Sequence, residues 1–145
     1  MTTTEYVIDV LGGASVFKSR TVPTSTEMRE RIKRGLPYRS LESVRERLRL
    51  SVPEAATVLH MPPRTLARRR QSRKLDADES DRLYRIVRVA AQAYAVFGEE
   101  DKAAIWLGRP NRALNGDAPI HILDTDVGAR QVEDILGRIE HGVVS

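Results

Sequence analysis

Residues 51–75 read SVPEAATVLHMPPRTLARRRQSRKL. The opening predicts a short helix over 52–60. Ser51 and Glu54 have capping-box spacing, in which each side chain bonds the other residue's backbone N–H. Pro53 falls in the first turn, where its missing N–H costs no hydrogen bond. Pro62 and Pro63 cannot extend that helix, yet Pro63 can begin a second one. Two short helices across a tight turn make a helix-turn-helix. Such a motif needs a small residue at the crossing, and Ala56 fits. It needs inward apolar residues, and Ala55, Leu59, Met61 and Leu66 fit. It also needs a turn residue that tolerates a left-handed backbone. Glycine is usual there, and His60 is a permitted occupant.

Residues 61–75 hold five arginines, one lysine and no acid. On the second helix Arg64, Arg68 and, one position off the line, Arg69 are expected to project away from Leu66. Arg73 lies further along. The N-terminal part of such a helix enters the major groove, where a guanidinium bonds guanine bidentately. The later arginines suit phosphates. The expected DNA-binding set is Arg64, Thr65, Arg68, Arg69 and Arg73. The plain alternative is a solvated basic helix face.

Charge elsewhere is distributed unevenly. Residues 1–75 carry 16 Lys/Arg against 7 Asp/Glu, and residues 76–145 carry 8 against 13. A basic half suits a polyanion and an acidic half suits something else, so two binding faces are expected. The 145 residues are enough for one compact domain or two very small ones. There is no cysteine, which excludes a disulfide framework and thiolate chemistry. The N-terminus MTTTEYVIDVLGG does not read as a signal peptide. No apolar run approaches the roughly 20 residues needed to span a bilayer. The expectation is a soluble, cytoplasmic protein with no membrane partner.

Residues 1–23 read as an N-terminal arm or a stray strand. YVIDVL has strand character, but Gly12-Gly13 interrupts it. Helical signals begin at TSTEMRERIKRGLP, with Thr24 and Glu27 at capping-box spacing and Gly35 with Pro37 as the stop. Leu41, Val44 and Leu48 follow at helical spacing. DADESDRLYRIVRVAAQAYAVFG is the clearest helix, with Asp76 and Glu79 at its start. Its apolar stripe is Leu83, Ile86, Val87, Ala90, Tyr94 and Phe97, and Gly98 ends it. A shorter helix is expected around Lys102–Leu107, then turns at RPNRALNGDAP, and one helical turn at PIHIL. Thr125 caps a last helix whose stripe is Val132, Ile135, Leu136 and Ile139. The fold class is therefore all-α.

The run from Arg64 to Gly98, followed by WLGRPNRALNGDAPIHILDTDVGARQVEDILGRIEHGV, resembles the Xre/MbcA/ParS antitoxin family. The resemblance covers about residues 35–145. It rests on the ordered spacing of Gly35-Leu36-Pro37, Arg64-Thr65-Leu66, Leu75 with Glu79-Ser80, and Phe97-Gly98. Further on it rests on Trp106-Leu107, Pro110-Asn111, Ala113-Leu114, Gly116, Pro119, Leu123, Thr125, Gly128 and the closing IEHG. The family frequently has Gly and a capping Ser where this chain has His60 and Pro62.

The resemblance implies an Xre/Cro-like helix-turn-helix over 24–75 and a helical toxin-binding region with a C-terminal tail over 76–145. It implies a partner toxin of the RES-domain type, which consumes NAD⁺ or transfers ADP-ribose, and repression of the antitoxin's own operon. The antitoxin's C-terminal end lies at the toxin's active-site cleft. The toxin-binding set is then His141, Gly142, Val143, Val144 and Ser145. As written, the tail reaches roughly 13 Å and offers two apolar side chains and a carboxylate. Without the resemblance it reads as a frayed terminus. Trp106, Pro110, Asn111 and Gly116 are assigned to the fold of the toxin-binding region rather than to contacts.

Catalytic chemistry is poorly supplied. His60, His121 and His141 share no metal-ligand spacing. His121 beside Asp124 and Asp126 reads as a surface coincidence, and Glu133, Asp134 and Glu140 as a solvated acidic face. No enzymatic activity, metal or cofactor is expected. A homodimer is expected, because one helix-turn-helix covers one half-site and the late apolar stripes exceed the needs of one small bundle. The second functional class is a stand-alone transcription regulator whose C-terminal half senses a ligand or dimerises.

Overall fold

Ala77–Phe97 is the helix around which the rest of the chain is arranged. Leu83, Ile86, Val87, Val89, Ala90, Ala91 and Ala93 are all buried, so the helix buries most of its circumference and leaves a polar stripe at Asp81, Arg85, Arg88 and Gln92. The computed structural model describes residues 1–18 and 21–142. Within them α1 spans Thr3–Val10, α2 Ser25–Arg34, α3 Tyr38–Arg47, α4 Val52–Val58 and α5 Pro63–Ser72. Helix α6 is Ala77–Phe97, α7 Glu100–Gly108 and α8 Asp126–Glu140. Short 3-10 turns lie at Gly13–Ser15, Arg112–Leu114 and Pro119–Ile122. Among the described residues there is no strand, only one isolated bridge between Pro37 and Lys74. Helices α1, α2, α7 and α8 all pack on α6.

The helix starts follow from their caps. Thr24 with Glu27, Ser51 with Glu54 and Asp76 with Glu79 each form a complete capping box. Thr125 caps α8 by accepting the Gly128 N–H. Gly98 ends α6 in the left-handed conformation, with φ 78°.

Residues 3–10 correct the expectation of an arm or stray strand. Thr2 caps a helix that buries Tyr6, Val7 and Val10. The Tyr6 ring stacks on Tyr94 of α6 at 4.5 Å. Tyr6, Val7, Val10 and Leu11 fall on one helical face, and all four are buried. The β-branched residues suggested a strand, but an apolar face available on α6 decided for helix. Gly12 and Gly13, both at positive φ, stop the helix. Helix α1 also covers part of the apolar surface on α6. At the other end Ile139 is 40 % exposed, so the buried stripe of α8 stops at Leu136.

Two glycines are required by close approach. A Cβ on Gly128 would fall 1.8 Å from the Ile122 carbonyl oxygen, so only glycine lets α8 start against the Pro119–Ile122 turn. A Cβ on Gly35 would fall 2.1 Å from the Leu75 carbonyl oxygen. The Leu36 N–H donates to Ser80 Oγ at 2.8 Å, which fastens the α2–α3 link to α6.

Candidate nucleic-acid interface

Helix α4 begins at the Ser51 cap and turns into α5 through Leu59–Pro62. His60 takes the left-handed position with φ 55°, as its place in the turn requires. The Met61 N–H donates to the Ala56 carbonyl at 2.7 Å, closing the turn. Ala55, Ala56, Leu59, Met61 and Leu66 are all buried. Pro63 starts α5 without loss of a hydrogen bond.

The five basic-helix residues separate once their partners are seen. Arg64 and Arg68 are exposed, and neither has a carboxylate partner among the described residues. Thr65 is half-buried between them. Arg69 turns inward, its Nε 2.7 Å from Glu79 and its Nη2 3.1 Å from Asp76. Glu79 is only 5 % exposed, and its hydrogen bond holds the Arg69 guanidinium more firmly protonated than usual. Arg69 is thus engaged within the fold. Arg70 leans toward the Tyr38 hydroxyl. Arg73 is exposed at the left-handed end of α5, with φ 64°. Its carbonyl accepts the Tyr38 N–H at 3.0 Å.

At the other end of the chain, His141 and Gly142 are exposed after α8. The His141 N–H donates to Gly137 O at 3.1 Å. The expected contacts at Val143, Val144 and Ser145 lie outside the described residues. Trp106 packs its ring 5.6 Å from that of Phe97. Asn111 Oδ1 accepts the Ala113 N–H, and the Gly116 N–H donates to the Asn111 carbonyl. These bonds shape the 109–117 turn.

A histidine-bridged seam joins the helix-turn-helix to the later region. His121 Nε2 lies 3.2 Å from Glu54 Oε2, and His60 Nε2 lies 3.7 Å from Asp124 Oδ2. Arg82 donates to the Leu59 carbonyl at 3.3 Å. The Glu54 carboxyl is held below its ordinary value, first by the Ser51 backbone N–H and then by His121. His121 therefore pairs across the fold rather than with its neighbours Asp124 and Asp126. No local signal marks a partner 67 positions away. Among the described residues no three His, Asp or Glu side chains are grouped to hold a metal ion. No helix among them is long and apolar enough to cross a membrane.

A small-residue crossing, a left-handed turn and an arginine-bearing second helix define a helix-turn-helix protein with an appended helical region. Residues 27–88 match the antitoxin Xre-like helix-turn-helix domain. Residues 92–142 match the antitoxin Xre/MbcA/ParS C-terminal toxin-binding domain. The chain is 38 % identical over 113 residues to antitoxin Xre of Photorhabdus laumondii, covering 77 % of this chain and 76 % of that one. It is 36 % identical over 124 residues to antitoxin Xre of Yersinia enterocolitica, covering 83 % and 82 %. It also resembles a chain in the crystal structure of the M. tuberculosis MbcT-MbcA toxin-antitoxin complex. There the TM-score is 0.52 at 25 % identity, over 72 % of this chain and 94 % of that one. The chain belongs to the Xre antitoxin family, with an N-terminal helix-turn-helix domain and a C-terminal toxin-binding domain.

Proposed function

We propose that this antitoxin represses its own operon through α5 and neutralises a RES-domain toxin that consumes NAD⁺ or transfers ADP-ribose. The observation that carries the DNA half is the sorting of the arginines. Arg64 and Arg68 stand exposed without carboxylate partners on a helix fixed by the left-handed turn at His60. Arg69 is engaged by Glu79 and is left out of the interface. Arg64 and Arg68, with Thr65 between them, face base edges, and Arg73 meets a phosphate.

The toxin half rests on the match of residues 92–142 to a toxin-binding domain. His141–Ser145 is the segment that enters the toxin's cleft and excludes its dinucleotide substrate. Two copies on DNA place their recognition helices about one helical turn apart. The antitoxin acts in the cytoplasm and carries out no chemistry itself.

Two measurements test this reading. Promoter-fragment binding is expected to weaken by about 1–3 kcal/mol for Arg64→Ala or Arg68→Ala if a base contact is lost. Unchanged promoter binding after both substitutions would remove α5 from the interface. NAD⁺ consumption by the cognate toxin is then followed with the full chain and with a chain lacking residues 142–145. Release of toxin activity by the shorter chain supports the cleft model, whereas equal inhibition assigns inhibition to the helical surface. Light scattering of the protein on a full operator reads the stoichiometry.

A further inference from the structure

The bridge between Pro37 and Lys74 brings together two basic segments that are distant in the chain. The Leu75 N–H donates to the Leu36 carbonyl at 2.9 Å and the Tyr38 N–H to the Arg73 carbonyl at 3.0 Å. These bonds lay the end of α2 against the chain leaving α5. Contact is close: a Cβ on Gly35 would fall 2.9 Å from Lys74 Cε. Lys33 and Arg34 in the last turn of α2 therefore share one surface with Arg73 and Lys74 at the end of α5. All four are exposed.

These cations differ from the ion-paired ones of the chain. Arg45 is paired with Glu42, Arg47 with Glu100 and Asp9, and Arg49 with Asp101. Arg88 is paired with Glu133 and Arg130 with Asp126. Lys33, Arg34, Arg73 and Lys74 have no carboxylate partner among the described residues. Glu30, a turn before Lys33 and Arg34 on α2, forms no ion pair with either among the described residues, and the acids that follow Lys74 are already engaged. Asp76 and Glu79 form the α6 capping box and hold Arg69. The fold thus leaves four cations without an ion pair on one surface.

Length places that surface relative to DNA. The ten residues of α5 span about 15 Å, while a major groove is about 12 Å wide. If the first turns of α5 lie in the groove, its far end reaches the groove wall, where the phosphates run. We infer that Lys33 and Arg34 of α2, together with Arg73 and Lys74, form a single sequence-independent clamp on the phosphodiester backbone flanking the groove. This rests on the reading of α5 as the DNA-reading helix, and it adds α2, outside the α4–α5 motif, to the interface.

The test is fluorescence anisotropy of the full chain on two labelled duplexes, its own promoter and a scrambled sequence of equal length, from 50 to 300 mM salt. The variants are Lys33→Gln with Arg34→Gln, and Lys33→Glu with Arg34→Glu. For the glutamine pair, affinity is expected to fall by a similar factor on both duplexes. The slope of log K against log salt should flatten by about 2, one unit per lost phosphate contact. The glutamate pair should weaken both further, with the melting temperature of the free protein unchanged. An unchanged slope, a loss confined to the promoter, or a weakening that only tracks a fall in melting temperature overturns the clamp. The wild-type arm separates the two ideas. If it binds neither duplex, the DNA reading fails and the clamp with it. If it binds and the α2 variants bind equally well, only the clamp fails.

Discussion

The imidazole of His121 lies 3.2 Å from the carboxylate of Glu54, so the turn before α8 is tied to the first helix of the helix-turn-helix. With the His60–Asp124 contact on the same seam, each region contributes one histidine and one carboxylate. His60 is the less comfortable member. It holds a left-handed backbone, which a side chain other than glycine adopts at a cost of about 1–2 kcal/mol. Its contact with Asp124 is long and largely solvated, worth well under 1 kcal/mol. His60→Gly is expected to raise the melting temperature slightly, whereas His121→Ala is expected to lower it slightly. A fall for both in thermal unfolding would mean that the seam outweighs the strain.

Helix α8 holds two glycines with opposite requirements. Gly128→Ala drives a Cβ into the Ile122 carbonyl and is expected to destabilise by roughly 3 kcal/mol, at the upper end of overpacking. Gly137 has open space at its Cβ position. Gly137→Ala is expected to stabilise by about 0.5–1 kcal/mol through helix propensity. Urea unfolding of the two variants reads both signs in one experiment.

Arg69 and its neighbours on α5 separate stability from binding. Arg69→Ala leaves Glu79, 5 % exposed, without its cation, and a loss of about 2–3 kcal/mol is expected. Arg64→Ala and Arg68→Ala remove exposed side chains and should stay within about 0.5 kcal/mol. Equal stability of all three would contradict the inward placement of Arg69.

Acid sensitivity follows from two carboxylates. Glu54 is held below its ordinary value by Ser51 and His121, and Glu100 by the Arg47 guanidinium. The unfolded value is about 4.3. Groups depressed in the fold contribute stability that is present above that pH and lost as pH falls through their folded values. The urea midpoint of the native chain should therefore drop as pH is lowered from 5 toward 3. A Glu54→Gln, Glu100→Gln variant should start lower at pH 7 and show a flatter decline. An equally steep decline in that variant would assign the acid sensitivity to other groups.

Much of this chain is determined by local chemistry. Ser51-x-x-Glu54, Pro53, Ala56, Pro63 and Leu66 specify the helix-turn-helix because caps, proline and small-residue crossings act over a few positions. Asp76, Thr125 and Gly98 set helix ends for the same reason. Tertiary structure decided the rest. Thr3–Val10 is a helix because α6 offers it an apolar face, which no window of eight residues contains. Arg69 differs from Arg64 and Arg68 only because α6 places Glu79 beneath it. The pairing of Glu54 with His121 and the meeting of α2 with Lys74 join residues far apart in the chain. Such contacts form only when the core has closed, since the free energy that holds them comes from burial shared across all the helices.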